Sequence, residues 1–215
     1  MTEEILKIDS SKPILKFIDP DNEILSSRSV EVSVEDIESD ELQSLIDAMF
    51  RLAYGEQGDA EHRTMVGLAA PQIGVLKRVI IAGVNAVGLG EQPELRAYIN
   101  PVIIRSSNTT EDGREGCYST GRVYGIVERA EDITIEAYDR KGNKITESYE
   151  GFPARVFQHE IDHLDGVRFP DRIADDSKLH WVEIERFGEY RQKWAEWDNY
   201  CPRERWEAMK TGQKK

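Results

Sequence analysis

Apolar residues recur every three or four positions in several stretches of the chain, a period typical of helices that pack one face against a core. The first stretch runs from about residue 41 to residue 54, and its apolar positions are Leu42, Leu45, Ile46, Met49, Leu52 and Ala53. A second helix is predicted over residues 153–166, because Pro153 suits the first turn of a helix and Gly166 is placed to end it.

A third helix is predicted from about residue 174 to residue 200. Its apolar stripe consists of Trp181, Ile184, Phe187, Tyr190, Trp194 and Trp197. Such a stripe must be buried against something. Packing against its own domain is favoured over a partner-binding face, because large exposed apolar patches are uncommon on soluble proteins.

Residues 66–82, 97–105 and 133–146 alternate or cluster β-branched and apolar side chains between Gly, Asp and Asn. This pattern predicts strands that pair mostly in antiparallel fashion. We therefore predict an α+β fold in which mostly antiparallel sheets surround the second helix and a further helix lies near the C-terminus.

The second helix contains the sequence His159-Glu160-Ile161-Asp162-His163. Positions i and i+4 of a helix share one face, about 5–6 Å apart, so the two imidazoles can bind one metal ion. Val156 lies on the same face, whereas Asp162 points elsewhere and is predicted to be a solvated charge. The motif is short, and an ordinary amphipathic helix with exposed charges is the alternative.

The chain has only two cysteines and four histidines, which leaves few ways to complete a metal site. Cys117 follows a glycine, and a thiolate is a strong ligand for borderline divalent metals. Two histidines and one cysteine leave a fourth position open, as in catalytic sites. A small buried hydrophobe is the alternative role for Cys117, and Cys201 is predicted to be a spare thiol.

A third segment reads Gly67-Leu68-Ala69-Ala70-Pro71-Gln72-Ile73-Gly74, where one amide side chain stands among small residues. Together with the Cys117 and His159 motifs, in this order, the chain resembles peptide deformylase. This family removes the formyl group from the N-terminal methionine of new bacterial proteins. The resemblance extends from Ile14 to Ile173 and implies a central metal-binding helix among antiparallel sheets.

The resemblance assigns Cys117, His159 and His163 as metal ligands and Glu160 as the general acid/base that takes a proton from the metal-bound water. Gln72 and the backbone N–H of Tyr118 would form the oxyanion hole. The leaving amine would receive the proton, so that formate and a free N-terminus result.

The resemblance also implies that the substrate peptide adds as an extended strand beside Val66 and Gly67, near Val156. Met65 departs from the family pattern and is expected to be tolerated. Tyr118 replaces the usual leucine, and its ring would narrow the cleft. Residues 119–122 lack the usual proline, which predicts a more mobile loop, and Arg122 there is either a solvated charge or a partner for a substrate carboxylate.

Relatives are typically Fe(II) enzymes, so one divalent ion is expected, iron in the cell and Zn, Ni or Co in purified protein. The net charge of −13 argues against direct nucleic-acid recognition. Mean hydropathy is low and no apolar run is long enough for a membrane span. The N-terminus lacks a signal or transit peptide pattern, so a cytoplasmic protein is expected.

Residues 1–173 are predicted to form the deformylase catalytic domain, with residues 174–215 packed on or appended to it. Residues 199–215 carry five positive and two negative side chains, a net charge of +3 on an acidic chain. This tail is predicted to be a disordered, solvated end. N-formylmethionyl nascent peptides are the expected partners, with weak ribosome contact through the tail as a further hypothesis.

Two other classes of function stay open. In an HExxH metalloprotease a downstream helix supplies the third ligand, and His180 and Glu183 follow His163 at suitable distance. Alternatively, the chain binds formylated peptides without catalysis. The presence of Cys117 favours the deformylase over the protease, and Glu160 with Gln72 favours catalysis over mere binding.

Overall fold

The computed structural model describes residues 15–55, 65–87 and 93–213, and the structural statements below concern these residues. Three residues used in the sequence analysis lie outside the described residues: Ile14, Lys214 and Lys215. The strands are β1 (Gly67–Ala69), β2 (Val79–Gly83), β3 (Leu95–Ser106), β4 (Thr110–Gly116), β5 (Val123–Ala130), β6 (Asp132–Tyr138), β7 (Lys144–Glu150) and β8 (Leu179–Trp181). The α-helices are α1 (Asp40–Ala53), α2 (Gly151–Leu164), α3 (Phe187–Lys193) and α4 (Arg203–Lys210).

The strands form two sheets in which each strand runs antiparallel to its neighbours. A five-stranded sheet has the order β1-β2-β3-β6-β7, and a three-stranded sheet has the order β4-β5-β8. The α+β prediction with mostly antiparallel sheets is therefore confirmed. Among the described residues β1 is an edge strand, so one side of its backbone has no strand neighbour there.

Helix α1 begins where the sequence pattern predicts. The Ser39 side chain caps its N-terminus by accepting a hydrogen bond from the Leu42 N–H at 3.4 Å. Its apolar stripe packs on one side of the large sheet, where Ile46 and Met49 are fully buried among residues that include Leu68 and Ile81. This half of the core packs against β1, the strand that begins the segment of residues 67–74, which contains Gly67 and Gln72.

Helix α2 lies between the two sheets and carries both motif histidines. Phe157 and Leu164 bury its apolar face against a group of residues that includes Ala69 and Tyr98. The helix ends before Gly166, whose φ of +72° belongs to the left-handed region that glycine adopts at low cost. The predicted bounds of this helix are confirmed to within two residues.

The predicted helix over residues 174–200 is wrong. Leu179 to Trp181 form β8, which pairs with β5, and α3 covers only Phe187–Lys193. The aromatic residues whose spacing predicted a helical stripe belong to two separate hydrophobic core clusters. Trp181 packs with Val123, whereas Tyr190 and Trp197 pack with Val182. Pairing with β5 gives the backbone of β8 hydrogen bonds that compete with a helix.

The prediction of a disordered C-terminal end is also wrong for most of the tail. Residues Arg203–Lys210 form α4, and Trp206 on this helix is fully buried. Trp206 shares a core cluster with Phe169 and Cys201, which is a free and buried cysteine. Because the tail is mostly polar, its sequence pattern did not indicate that Trp206 would be buried.

Candidate metal centre and catalytic site

Three side chains that can bind a metal ion converge between α2 and the end of β4. One ligand atom from each of Cys117, His159 and His163 lies within 4.8 Å of the others. Cys117 Sγ is 3.3 Å from His163 Nε2. The i, i+4 spacing on α2 places both imidazoles on one face, and the chain after β4 brings the thiol to that face.

The donor set fits a divalent metal ion. Imidazole nitrogens and a thiolate suit borderline metals such as Fe(II), Zn(II) and Ni(II), and three protein ligands leave a position open for a reactant. Burial lowers the pKa of His163 well below its ordinary value, which favours the neutral imidazole that binds metals. The geometry therefore supports a metal centre at the three predicted residues.

His159 is oriented by Glu115, a residue that the sequence interpretation missed. His159 Nδ1 lies 2.8 Å from Glu115 Oε2. Burial alone raises the pKa of Glu115, but hydrogen bonds from His159 and Arg129 hold that pKa well below its usual range. Since an ionised carboxylate only accepts hydrogen bonds, Nδ1 carries the proton and Nε2 is left as the donor atom for a metal.

Glu115 belongs to a buried network of charges behind the histidines. Arg129 binds it through two nitrogens, at 2.9 and 3.0 Å, and also donates to Asp162 at 2.6 Å. Arg155 donates to Glu115 at 3.0 Å, and Arg172 pairs with Asp162 from the surface side. The prediction that Asp162 is a solvated charge is wrong, because this side chain is only 8% exposed and is held by two guanidinium groups.

Of this network, the position of Glu115 could have been found from local sequence. Glu115 precedes Cys117 by two residues at the end of a strand, and alternate residues of a strand face the same side. A carboxylate in that position is therefore brought to the metal-ligand side together with the thiol. The contribution of Arg129 depends on the pairing of β4 with β5.

Glu160 is buried beside the ligands, and its carboxyl atom Oε2 has no hydrogen-bond partner among the described residues. Burial raises the pKa of Glu160 to about 7. Gly67 on β1 allows this close approach, since a Cβ there would overlap with the carboxylate. A carboxyl group with such a pKa can both accept and release a proton near neutral pH.

Gln72 presents its amide nitrogen to the thiol. Its Oε1 accepts a hydrogen bond from the Ala69 N–H at 2.7 Å, which fixes the orientation of the amide. Its Nε2 then donates to Cys117 Sγ at 3.1 Å and to Ser119 Oγ at 3.4 Å. The side chain is therefore a fixed donor that points into the site.

Comparison with known proteins identifies the family of this chain. The family model described as "Polypeptide deformylase" matches residues 11–179. The chain belongs to the polypeptide deformylase family. It is 40% identical over 152 residues to the peptide deformylase of Brachyspira hyodysenteriae, an alignment that covers 70% of this chain and 77% of the relative.

Solved structures show the same fold. A class I type b peptide deformylase from Acinetobacter baumannii with Met-Ala-Ser bound has 33% identity and a TM-score of 0.66, over 75% of this chain and 99% of that chain. The Thermotoga maritima peptide deformylase has 31% identity and a TM-score of 0.64, over 76% and 100%. Peptide deformylases are metal-dependent hydrolases that remove the N-formyl group from the N-terminal methionine of nascent polypeptides and release formate.

The residues that an HExxH protease would use have other partners in this member of the family. His180 lies on β8, and its Nδ1 is 3.1 Å from the Tyr190 hydroxyl. Glu183 accepts a hydrogen bond from Trp181 Nε1 at 2.8 Å and pairs with Arg122. Arg122 thus pairs with a carboxylate of the same chain, a contact that neither alternative for this residue included.

The remaining predicted residues lie around the same centre. Tyr118 directly follows Cys117, and its half-exposed ring stacks on Phe17 with 4.5 Å between ring centroids. Val66 precedes β1, and Val156 is buried on α2. In the described ranges 15–55, 65–87 and 93–213, no helix is long and apolar enough to cross a membrane.

Proposed function

We propose that this chain deformylates N-formylmethionyl polypeptides at the centre formed by Cys117, His159 and His163. The observation that carries the proposal is the convergence of these ligand atoms with two further groups of matching chemistry. Glu160 supplies a buried carboxyl group, and Gln72 supplies a fixed hydrogen-bond donor. Membership in the deformylase family gives the same reaction class.

One divalent metal ion would be held by Cys117 Sγ and one nitrogen each of His159 and His163. When bound, the ion supplies Lewis acidity that lowers the pKa of the attacking water to about 7 and polarises the formyl carbonyl. We propose Fe(II) in the cell, as the family resemblance implies. In purified protein we propose Zn, Ni or Co, because the general affinity order places these metals above Fe at such donors.

Glu160 would act as the general base and then the general acid. Its carboxylate accepts a proton from the attacking water, and the carboxylic acid returns a proton to the departing amine nitrogen. The C–N bond then breaks, and formate and a neutral N-terminal amine result. The pKa of about 7 suits both proton transfers.

Gln72 and the backbone N–H of Tyr118 would stabilise the negative charge that develops on the formyl oxygen. The Ala69 N–H holds the Gln72 amide in place before the substrate arrives. A fixed donor in a buried site needs no reorganisation during the reaction, and one such donor is typically worth about 10²–10³ in kcat.

The substrate peptide would add to the open edge of β1. The Gly83 N–H donates to the Val66 carbonyl at 2.8 Å, so the peptide groups of Val66 face β2. Because peptide groups alternate along an antiparallel strand, those of Gly67 face the open edge. Gly67 therefore supplies the backbone contacts, and the Val66 and Val156 side chains line the cleft. The Acinetobacter relative with Met-Ala-Ser bound supports a peptide ligand with an N-terminal methionine.

The test is formate release from an N-formylmethionyl peptide by protein purified without oxygen and loaded with Fe(II). Glu160→Gln should retain the metal and lose at least 10²-fold in kcat. Cys117→Ala should lose the metal, whereas His180→Ala should keep it. Absence of formate release from fully metallated wild-type protein would refute the proposal, and metal loss in His180→Ala would favour a protease.

We also propose that the chain works in the cytoplasm. We further propose that it forms one domain, in which residues 174–215 pack on the catalytic part, residues 1–173. The pairing of β8 with β5 and the burial of Trp206 beside Phe169 support this arrangement. Limited proteolysis tests it, since a separate appendage would be released without loss of the folded catalytic part.

Weak ribosome contact through the C-terminal tail belongs to the same proposal. Arg203 and Lys210 already pair with Asp176 and Asp171, and the Arg205 guanidinium lies on the Trp181 ring, so we assign the contact to Lys214 and Lys215. Reversing these two charges leaves the sequence of α4 unchanged and should weaken co-sedimentation with ribosomes at low salt. Unchanged co-sedimentation would remove the ribosome from the proposal.

A further inference from the structure

Arg168 is an almost completely buried cation that lies beneath a tryptophan of the C-terminal helix. Arg168 comes four residues after the end of α2, and it is 1% exposed. The guanidinium carbon lies 4.7 Å from the centroid of the Trp206 ring on α4. A buried guanidinium requires acceptors or an aromatic face, so Trp206 supplies part of its stabilisation.

The hydrogen bonds of Arg168 lead directly to the loop that follows Cys117. Its Nη1 donates to the Ser119 carbonyl at 3.2 Å and to the Pro20 carbonyl, and Nη2 donates to Ser26 Oγ at 3.2 Å. Ser119 Oγ in turn accepts from the Gln72 amide at 3.4 Å. One guanidinium thus joins the cysteine loop to the N-terminal segment.

Helix α4 touches the same region at further points. Trp206 Nε1 and Lys210 Nζ each donate to the Asp171 carboxylate at 2.9 Å. The Met209 methyl group packs against Gly121, where an added Cβ would be 3.2 Å from it. The helix is therefore fixed over the end of the loop as well as over Arg168.

We propose that Trp206 and Arg168 are positioning residues that hold the loop of residues 117–121 in its catalytic geometry. The inference rests on the proposed function, because this loop contains the Tyr118 N–H and contacts Gln72. It assigns a role to α4, which lies beyond the matched residues 11–179 of the family. Small displacements of an oxyanion donor reduce kcat more than substrate binding, because the donor acts mainly on the transition state.

Trp197 offers a matched control for Trp206. Both tryptophans are buried in the C-terminal segment, and the ring of each packs against an arginine guanidinium, with the Arg186 guanidinium carbon 4.4 Å from the Trp197 ring centroid. Each ring nitrogen also donates a hydrogen bond, that of Trp197 to the Trp181 carbonyl at 3.1 Å. Trp197 belongs to a different cluster from Trp206.

The experiment compares Trp206→Leu, Trp206→Phe and Trp197→Leu as metal-loaded enzymes, with metal content, Tm, kcat and KM measured for each. Trp206→Leu should lower kcat about 5- to 20-fold with KM within twofold. Trp206→Phe keeps an aromatic face and should restore most of kcat, and Trp197→Leu should leave kcat within twofold at a similar loss of Tm. Amide hydrogen exchange of residues 118–121 should accelerate in Trp206→Leu alone.

Equal losses of kcat in the two leucine variants, or unchanged loop exchange in Trp206→Leu, would overturn the proposal. If Trp206→Leu does not fold, Arg168→Met removes the hydrogen bond to Ser119 and leaves the sequence of α4 unchanged. Unchanged kcat and loop exchange in folded Arg168→Met would be equally decisive against it. Hydrogen exchange does not depend on turnover, so an inactive wild-type protein would refute the proposed function and leave the positioning role separately testable.

Discussion

Gly67 lies so close to Glu160 that any side chain at this position would overlap with the Glu160 carboxylate. Two elements therefore meet at the proposed general base, the edge strand β1 and helix α2, which carries the two candidate metal-binding histidines. Gly67 combines two properties, space for the Glu160 carboxylate and peptide groups directed away from β2.

Gly67→Ala should lower kcat/KM for a formylated peptide at least 100-fold, because a displacement of about 1 Å in a catalytic group can cost that much. Metal content should stay unchanged, since the three atoms nearest to an added Cβ at Gly67 all belong to Glu160 and none to the proposed ligands. Gly188→Ala is the control, because an added Cβ there meets nothing within 4 Å. More than a tenth of wild-type activity in Gly67→Ala would show that Glu160 tolerates displacement.

Glu115→Gln should weaken metal binding about 10- to 100-fold, because the change removes the charge that orients His159 Nδ1–H. A chelator competition assay on wild-type and variant protein measures this directly. Glu128→Gln on the exposed face of β5 is the control and should bind metal as wild type does. Equal affinities in all three proteins would mean that Arg129 and α2 alone orient the histidine.

The convergence of the three candidate ligand residues could be predicted from sequence, in part because the spacing of the histidines is local. His159 and His163 share a face of any helix that contains them, and Cys117 was the plausible thiol in a chain with two cysteines. The charge network was not predictable in the same way. Arg129 and Asp162 are 33 residues apart, and they meet only because β5 packs beside α2.

The C-terminal segment shows where periodicity is misleading. Aromatic residues between Trp181 and Trp197 have helical spacing, yet they come from a strand, a short helix and turns. Tertiary pairing of β8 with β5 overrides the local pattern. The burial of Trp206 had no counterpart in the pattern, because α4 buries one aromatic side chain rather than a stripe.

Asp162→Asn should lower the free energy of unfolding by about 3 kcal/mol, since it leaves the buried Arg129 with one carboxylate partner fewer. Urea denaturation of metal-saturated protein measures the change. Asp198→Asn, an exposed change of the same chemistry, should stay within about 0.5 kcal/mol of wild type. A loss below 1 kcal/mol in Asp162→Asn would show that solvent or Arg172 compensates for the missing charge.

The stacked rings of Phe17 and Tyr118 lie beside the candidate site, and each belongs to a residue next in sequence to a proposed site residue or to a residue hydrogen-bonded with one. Tyr118 follows the ligand Cys117, and the Ile18 N–H next to Phe17 donates to the Gln72 carbonyl at 3.0 Å. Tyr118 is 48% exposed, and we predict that a peptide side chain packs against its exposed part. An aromatic contact is worth about 0.5–1.5 kcal/mol beyond the area it buries.

Tyr118→Leu should therefore reduce the preference for phenylalanine over alanine after the formylmethionine about 2- to 10-fold, measured as the ratio of kcat/KM values for two formylated peptides. The backbone N–H survives the change, so kcat on the alanine peptide should stay within threefold. Tyr200→Leu removes a tyrosine of similar exposure, 50%, from the contact with β8 and should leave the ratio unchanged. An unchanged ratio in Tyr118→Leu would mean that the peptide passes on the other side of the cleft, along β1 alone.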